Sequence, residues 1–97
     1  MTETTPRVRR QAVITDRLGL HLRPASQLVG LARTFRSEIR VLCRGATADA
    51  KSLLELLILA VGCGTTLELV ASGPDAEQAI GALIDLLGPA PDLAAAA

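Results

Sequence analysis

Apolar residues recur along this chain at two spacings, one typical of strands and one typical of helices. Alternation at every second position predicts strands over 7–15, 37–43 and 66–71. The Arg-Gly turn signal at 44–45 indicates that a short strand over 46–50 closes a hairpin. The i, i+3, i+4, i+7 spacing of amphipathic helices appears over 22–35 and 76–87, and a leucine-rich helix is predicted over 51–60. The elements therefore follow the order β-α-β-β-α-β-α.

These patterns also predict which faces are buried. In the first strand, Ala12 and Ile14 face inward. The first helix carries one apolar stripe, made of Ala25, Leu28, Val29, Ala32 and Phe35. Strands of alternating polarity and one-sided helices pack as two layers, which predicts an α+β sandwich with one face of the sheet in water.

The chain has 97 residues, 49% of them apolar, which suffices for one domain with its own core. We place this domain over 7–88, and we expect disorder in 1–6 and in the alanine-rich stretch 89–97. Cys43 and Cys63 do not make a disulfide framework, and we expect both to be buried as small apolar residues.

Charge and aromatic content narrow the choice of partners. Ten basic residues balance ten acidic ones, and Phe35 is the only aromatic residue. Both facts argue against binding of nucleic acid or of an acidic membrane surface. No apolar run is long enough to span a membrane, and nothing like a secretory leader follows Met1. We therefore expect a soluble, cytoplasmic protein, most simply a monomer.

The candidate chemistry lies at His21, the only histidine, which stands between the first strand and the first helix. N–H groups at the start of a helix have no intrahelical partner, and the helix dipole adds partial positive charge there. Pro24 suits this first turn, and Arg23 adds a guanidinium whose donors fit phosphate oxygens. An imidazole nucleophile beside an anion site predicts transient phosphorylation of His21.

Two alternatives stay open for His21: an ordinary surface histidine, or one that caps the helix. A metal site is not expected, because one histidine and two distant cysteines rarely build one, and no cofactor is predicted. An enzyme is the least expected class, since the sequence presents no second histidine and no evident carboxylate pair or nucleophile–base arrangement.

The predicted second helix starts near Ser52 and carries leucines around most of its circumference. Ser52 and Glu55 have the Ser-x-x-Glu spacing of a capping box, in which each side chain bonds the backbone N–H of the other. Leu53, Leu54 and Leu57 do not fit one buried face together, so each is either a core residue or part of an exposed patch that binds a partner.

Three short segments together resemble HPr, the histidine phosphocarrier family of the bacterial phosphotransferase system. They are Gly-Leu-His-Leu-Arg-Pro-Ala at 19–25, Ala-Lys-Ser-Leu at 50–53 and Ser-Gly-Pro-Asp-Ala at 72–76. The resemblance runs from about Arg7 to Leu87, and it implies an open-faced sandwich of four antiparallel strands and three helices. It also implies that His21 accepts a phosphoryl group on its pros nitrogen, Nδ1, from phosphoenolpyruvate-charged enzyme I and donates it to an enzyme IIA domain.

The same resemblance implies roles for other residues. Arg23 would neutralise the phosphate, and the backbone N–H groups of Leu22 and Arg23 would hold it. Ser52 matches the serine that a dedicated kinase/phosphorylase modifies in some members. The apolar patch that docks partners in the family corresponds to Leu53, Leu54 and Leu57.

Two features depart from the usual family pattern. Leu22 stands where the family usually has a small residue, so we expect it to border the histidine and narrow access to it. The approach Asp-Arg-Leu-Gly at 16–19 is more similar to carriers of the nitrogen-related branch than to sugar-dedicated ones.

The predicted function is therefore that of a stoichiometric phosphocarrier, serving either the sugar or the nitrogen-related branch. The alternative is a regulatory binding module, whose leucine patch and phosphorylated Ser52 would switch a kinase or a transcriptional regulator. A weaker third hypothesis is a carrier that feeds a dihydroxyacetone kinase complex.

Overall fold

The predicted order of elements is confirmed in the structure, a computed structural model that describes residues 5–89. The strands are β1 (Arg7–Val13), β2 (Glu38–Cys43), β3 (Ala46–Asp49) and β4 (Thr66–Ser72). The helices are α1 (Leu22–Ala32), α2 (Leu53–Leu59) and α3 (Ala76–Leu87), and none of these three could cross a membrane. The predicted disordered ends, 1–6 and 89–97, lie mostly outside the described residues and stay a prediction.

Helix α1 is shorter than its apolar pattern predicts, because its last turn tightens. The N–H groups of Thr34 and Phe35 donate to Leu31 O and Ala32 O at 3.0 and 3.2 Å, which is the i→i−3 pattern of a 3₁₀ turn. The Thr34 hydroxyl also donates to Leu31 O, at 2.6 Å. The helix therefore ends at Ala32, and Phe35 is only partly buried against the core.

The sheet has the order β1-β4-β2-β3, with every neighbouring pair antiparallel. The last strand in the chain, β4, thus lies between β1 and β2. Since both run antiparallel to β4, β1 and β2 are parallel to each other, and the connection that contains α1 crosses over the sheet. Helix α3 packs on β1 and β4, α2 packs on β3, and α1 contacts both other helices.

The core lies between this sheet and the helices. Pairs in register, such as Val8 with Ala71 and Val41 with Leu69, are buried on the same face of the sheet. Ala12 and Ile14 are also buried, as predicted. The helices add apolar side chains that are at most 8% exposed: Ala25, Leu28, Val29, Ala32, Leu56, Ala76, Ala79, Ile80, Leu83 and Leu87. The α+β open-faced sandwich is therefore confirmed.

The start of α3 is attached to the chain before β2 through Asp75. Its carboxylate accepts bonds from Arg36 N at 2.8 Å, Ser37 N at 2.9 Å and the Ser37 hydroxyl at 2.6 Å. The Ser37 hydroxyl and then the Arg36 N–H lower the pKa of Asp75 to about 2. This contact joins two loops that are far apart in sequence.

The two cysteines are not equally buried. Cys43, in β2, is half-buried, but Cys63 is exposed in the loop between α2 and β4. The expectation of a buried Cys63 is therefore wrong. The glycines on both sides of it, Gly62 and Gly64, place it on a surface loop rather than in an element that faces the core.

Candidate functional site

The loop between β1 and α1 sets the position of His21. Gly19 N donates to Asp16 O at 2.9 Å and closes a tight turn. Gly19 has φ +80°, and a Cβ at this position would lie 2.4 Å from Val61 O. The next residue, Leu20, is 3% exposed and donates its N–H to Val61 O at 2.8 Å. The loop is thus anchored to the chain after α2, and His21 follows directly.

The start of α1 presents free N–H groups. His21 is the N-cap residue, and its carbonyl accepts the first bond of the helix from Ala25 N at 2.9 Å. Helix geometry leaves the N–H groups of Leu22 and Arg23 without an intrahelical partner, and Pro24 has no N–H to satisfy. The imidazole of His21 makes no capping hydrogen bond, and the first turn contains no acidic residue. A group with negative charge is therefore favoured at this helix end.

The imidazole of His21 is 35% exposed and bonds to one carboxylate. Its Nε2 lies 3.1 Å from Asp16 Oδ1, and the same oxygen accepts the N–H of Leu18 at 3.0 Å. The Leu18 N–H, and to a smaller extent the bond with His21, hold the pKa of Asp16 below its ordinary value. Asp16 is therefore an ionised acceptor beside the ring.

His21 and Arg23, which were predicted to act together, line one open cleft of about 500 Å³. Its other lining residues are Asp16, Arg17 and Leu18. None of these three was among the predicted site residues. An Asp at the start of a tight turn was a signal for an Asx turn onto its own backbone. That signal did not extend to a bond with an imidazole five positions later.

The predicted capping box at Ser52 is only half formed. Ser52 Oγ accepts the N–H of Glu55 at 3.3 Å, as expected for the N-cap of α2. The Glu55 carboxylate, however, accepts the N–H of Asp49 at 3.0 Å, while Ser52 N donates to Asp49 O at 2.9 Å. The reciprocal bond was therefore wrongly predicted, because the turn that links β3 to α2 already uses the Ser52 N–H.

The three leucines of α2 are not equivalent. Leu54 is 68% exposed, whereas Leu53 and Leu57 are partly buried and pack against the core. Leu57 also lines a shallow groove that His21 and Leu22 share.

Three exposed apolar side chains were not in the predicted patch: Leu18, Leu22 and Ile58, which are 78%, 59% and 71% exposed. Ile58 lies four positions after Leu54, a spacing that places both on one side of a helix and that the sequence contained. The positions of Leu18 and Leu22 required the loop conformation.

Among residues 5–89, no group of three or more His, Cys, Asp or Glu side chains is placed to hold a metal ion.

Comparisons with known proteins agree on one family. The family model for the PTS HPr component phosphorylation site matches residues 8–88. Phosphocarrier protein HPr of Cupriavidus necator is 38% identical over 80 residues, which cover 82% of this chain and 90% of that protein. Phosphocarrier protein NPr of Shewanella violacea is 40% identical over 81 residues, covering 84% and 89%. The crystal structure of HPr from Bacillus anthracis superposes with a TM-score of 0.80 at 32% identity, covering 84% of this chain and 96% of that one.

Proposed function

The chain belongs to the HPr family of phosphocarriers of the phosphotransferase system, and we propose that His21 is its phosphoryl acceptor. In this proposal enzyme I charges His21 and an enzyme IIA domain discharges it. The observation that carries the proposal is the shared cleft of His21 and Arg23 at the start of α1. The protein then acts as a stoichiometric carrier, with no turnover of its own.

Backbone N–H groups, the helix dipole and a guanidinium offer positive charge or hydrogen bonds to the phosphoryl group at this site. The N–H groups of Leu22 and Arg23 are directed out of the first turn of α1, where the helix dipole favours an anion. The guanidinium of Arg23 supplies a fixed charge with several donors. Phosphoryl transfer depends mainly on positioning and on charge neutralisation, and this helix start provides both.

Apolar side chains of the β1–α1 loop, α1 and α2 are the proposed docking surface. Leu54 is the most exposed of the three leucines proposed earlier, and Leu53 and Leu57 are partly buried against the core. Leu18 and Leu22 extend the apolar surface toward His21. Burial of such side chains between two proteins is a main source of binding free energy.

The test is labelling with phosphoenolpyruvate and enzyme I. We expect an acid-labile label on the wild-type protein and none on His21→Ala, whose circular dichroism must match wild type. Arg23→Lys, which keeps the charge but loses the planar fork of donors, should be labelled more slowly. A folded wild-type protein that takes no label, or an equal label on His21→Ala, contradicts the proposal.

The proposed partner branch and compartment need separate tests. We propose a monomer that acts in the cytoplasm and passes its phosphoryl group to a sugar or a nitrogen-related enzyme IIA domain. Charged protein offered both acceptors in one reaction should discharge to one of them faster. Analytical ultracentrifugation tests the monomer, since a dimer at working concentration contradicts it.

A regulatory role is the second candidate, and the exposure of Leu54 and Ile58 on α2 favours it. In this alternative a serine kinase phosphorylates Ser52, and the modified protein binds a transcriptional regulator. Ser52 Oγ is at the N-cap of α2, where the helix dipole favours the negative charge of an added phosphate group. The negative charge of Glu55, in the first turn, disfavours it. An acid-stable label from the kinase and ATP that Ser52→Ala abolishes supports this role, and a label that survives in Ser52→Ala contradicts it.

A further inference from the structure

Asp16 is the acidic residue among those that line the His21 cleft. A carboxylate beside a site for a phosphoryl group is unfavourable by charge alone. Its Oδ1 is nevertheless held in place by two bonds, at 3.0 Å from Leu18 N and 3.1 Å from His21 Nε2. The turn that orients the carboxylate is closed by Gly19 N donating to Asp16 O at 2.9 Å. Asp16 is thus fixed by the backbone of the same loop that positions His21.

This geometry decides which ring nitrogen is free. An ionised carboxylate can only accept hydrogen bonds, so the ring nitrogen that contacts it must carry the hydrogen. With Nε2 protonated, the neutral imidazole has its lone pair on Nδ1. The lone pair of Nδ1 and the hydrogen of Nε2 point away from the ring in different directions. Asp16, which contacts Nε2, therefore leaves Nδ1 free to attack.

We propose that Asp16 is a positioning residue for phosphoryl transfer, which selects Nδ1 of His21 as the attacking atom and stabilises the ring as it becomes positive. This role rests on the proposed function of His21. It assigns to Asp16 a part that resembles the orienting carboxylate of a Ser-His-Asp triad, although no proton is passed here.

The transfer step balances without an added base. As the Nδ1–phosphorus bond forms, the bond between phosphorus and the donor breaks, and its electron pair leaves with the donor group. The hydrogen on Nε2 stays in place, so the ring becomes a phosphoimidazolium cation that faces the Asp16 carboxylate. In the forward transfer, a nucleophilic atom of the acceptor forms a bond to phosphorus while the Nδ1–phosphorus bond breaks and its electron pair returns to Nδ1. The ring leaves as neutral imidazole with the same Nε2 hydrogen.

Arg17 and Arg23 are the two cations that line the same cleft. They suit the phosphoryl oxygens, whereas neither can stabilise positive charge on the ring. Asp16 is the cleft residue with the charge to do so, because the cleft is otherwise lined by Leu18 and His21 itself. In one transfer step, the arginines thus stabilise the negative phosphoryl oxygens, and Asp16 stabilises the positive ring.

The matched variants are Asp16→Asn and Asp16→Ala. Asparagine can keep the turn through its carbonyl oxygen, but its amide can donate as well as accept and carries no charge. A purely structural role in the turn therefore leaves Asp16→Asn equal to wild type. The proposed role predicts that Asp16→Ala loses the preference for one ring tautomer, that Asp16→Asn, whose oxygen is a neutral acceptor, keeps a weaker preference, and that both variants transfer more slowly.

Two measurements test this. First, the ¹⁵N chemical shifts of the His21 ring, recorded at about pH 9 where imidazole is neutral, should show hydrogen on Nε2 in wild type, a smaller excess of that tautomer in Asp16→Asn and a mixture of both tautomers in Asp16→Ala. Second, single-turnover charging by enzyme I should slow at least about tenfold in Asp16→Ala, less than the ~10⁴-fold loss in a buried triad, and by an intermediate factor in Asp16→Asn.

The outcomes separate this inference from the proposed function. A labelled wild type whose variants keep the tautomer and the charging rate overturns the role of Asp16 alone. A wild-type protein that takes no label overturns the proposed function and this role with it. Phosphorylation of wild type on Nε2 instead of Nδ1 also overturns the role, because Asp16 contacts Nε2.

Discussion

Replacement of Gly19 by alanine should destabilise the fold and misplace His21 at the same time. Gly19 has φ +80°, a region that L residues with a side chain rarely adopt. The added Cβ would also lie 2.4 Å from Val61 O and 2.9 Å from Gly62 Cα. Both are backbone atoms, so no side-chain rotation relieves the contact, and the loop must move away from the α2–β4 connection.

The size of the effect follows from three contributions. The left-handed backbone costs an alanine about 1–2 kcal/mol relative to glycine. Separation of the loops weakens the bond from Leu20 N to Val61 O, and such a bond contributes about 1 kcal/mol net. Alanine also lowers the conformational entropy of the unfolded chain, which offsets roughly 0.5 kcal/mol of this loss of stability. We expect Gly19→Ala to lower the free energy of unfolding by about 2 kcal/mol, a large fraction for a small domain.

The matched control is Gly30→Ala, on the exposed side of α1. It adds the same methyl group, which meets no atom within 4 Å outside its own helix. Because glycine is a poor helix former, this variant should gain about 0.5–1 kcal/mol. Urea unfolding is followed by far-ultraviolet circular dichroism, since the chain has no tryptophan and no tyrosine. Charging of His21 should slow in Gly19→Ala and stay unchanged in Gly30→Ala.

Two outcomes would contradict the role of this loop. If Gly19→Ala is as stable as wild type and is charged at the wild-type rate, the anchoring of the loop to Val61 does not position His21. Loss of stability with an unchanged charging rate would refute only the link between the anchor and the histidine.

Three further predictions concern acid stability, docking and the cap of α2. The folded pKa of Asp75, about 2, is below its unfolded value, so its stabilising contact is complete above roughly pH 4 and is lost as pH falls toward about 2. The free energy of unfolding, measured with urea, should therefore fall less over this range, the acid limb of the stability profile, in Asp75→Asn than in wild type. Leu22 is 59% exposed, and Leu22→Ala should raise the KM of enzyme I for this protein about tenfold with kcat unchanged. The control Leu42→Ala, in β2 of the sheet, should leave that KM unchanged. Ser52→Ala should lower the free energy of unfolding by about 1 kcal/mol, and Ser52→Thr, which keeps the hydroxyl, by less.

Each of these predictions has a contrary outcome. An acid limb that is the same in wild type and Asp75→Asn would mean that the contact with Ser37 does not control stability at low pH. Faster charging of Leu22→Ala would mean that Leu22 narrows access to the histidine rather than adding docking surface. Equal stability of Ser52→Ala and wild type would mean that the hydrogen bond to Glu55 N contributes nothing.

Local patterns of apolar and turn residues were sufficient for the order and type of the elements. Ala12 and Ile14 alternate at the strand period, and Ala25, Leu28, Val29 and Ala32 recur at the helix period, so their inward faces followed directly. The end of α1 was less predictable, because the 3₁₀ turn after Ala32 depends on bonds of Thr34 that the apolar pattern does not encode. Phe35 continues the stripe in sequence but lies beyond the helix.

Some features of the candidate site were likewise visible in the sequence, whereas others depend on the tertiary structure. A histidine followed by Arg23 and Pro24 at a predicted helix start was visible in the sequence, because helix starts and their free N–H groups depend on nearby residues. The bond between Asp16 and His21, the contact of Gly19 with Val61, and the exposure of Leu18 depend on how the loop folds back on the molecule. Sequence alone thus determined the elements and the candidate nucleophile at a helix start, since both depend on backbone geometry over one or two turns. Tertiary structure decided the partner of the imidazole and the surface around it, since those contacts exist only once separate segments are brought together.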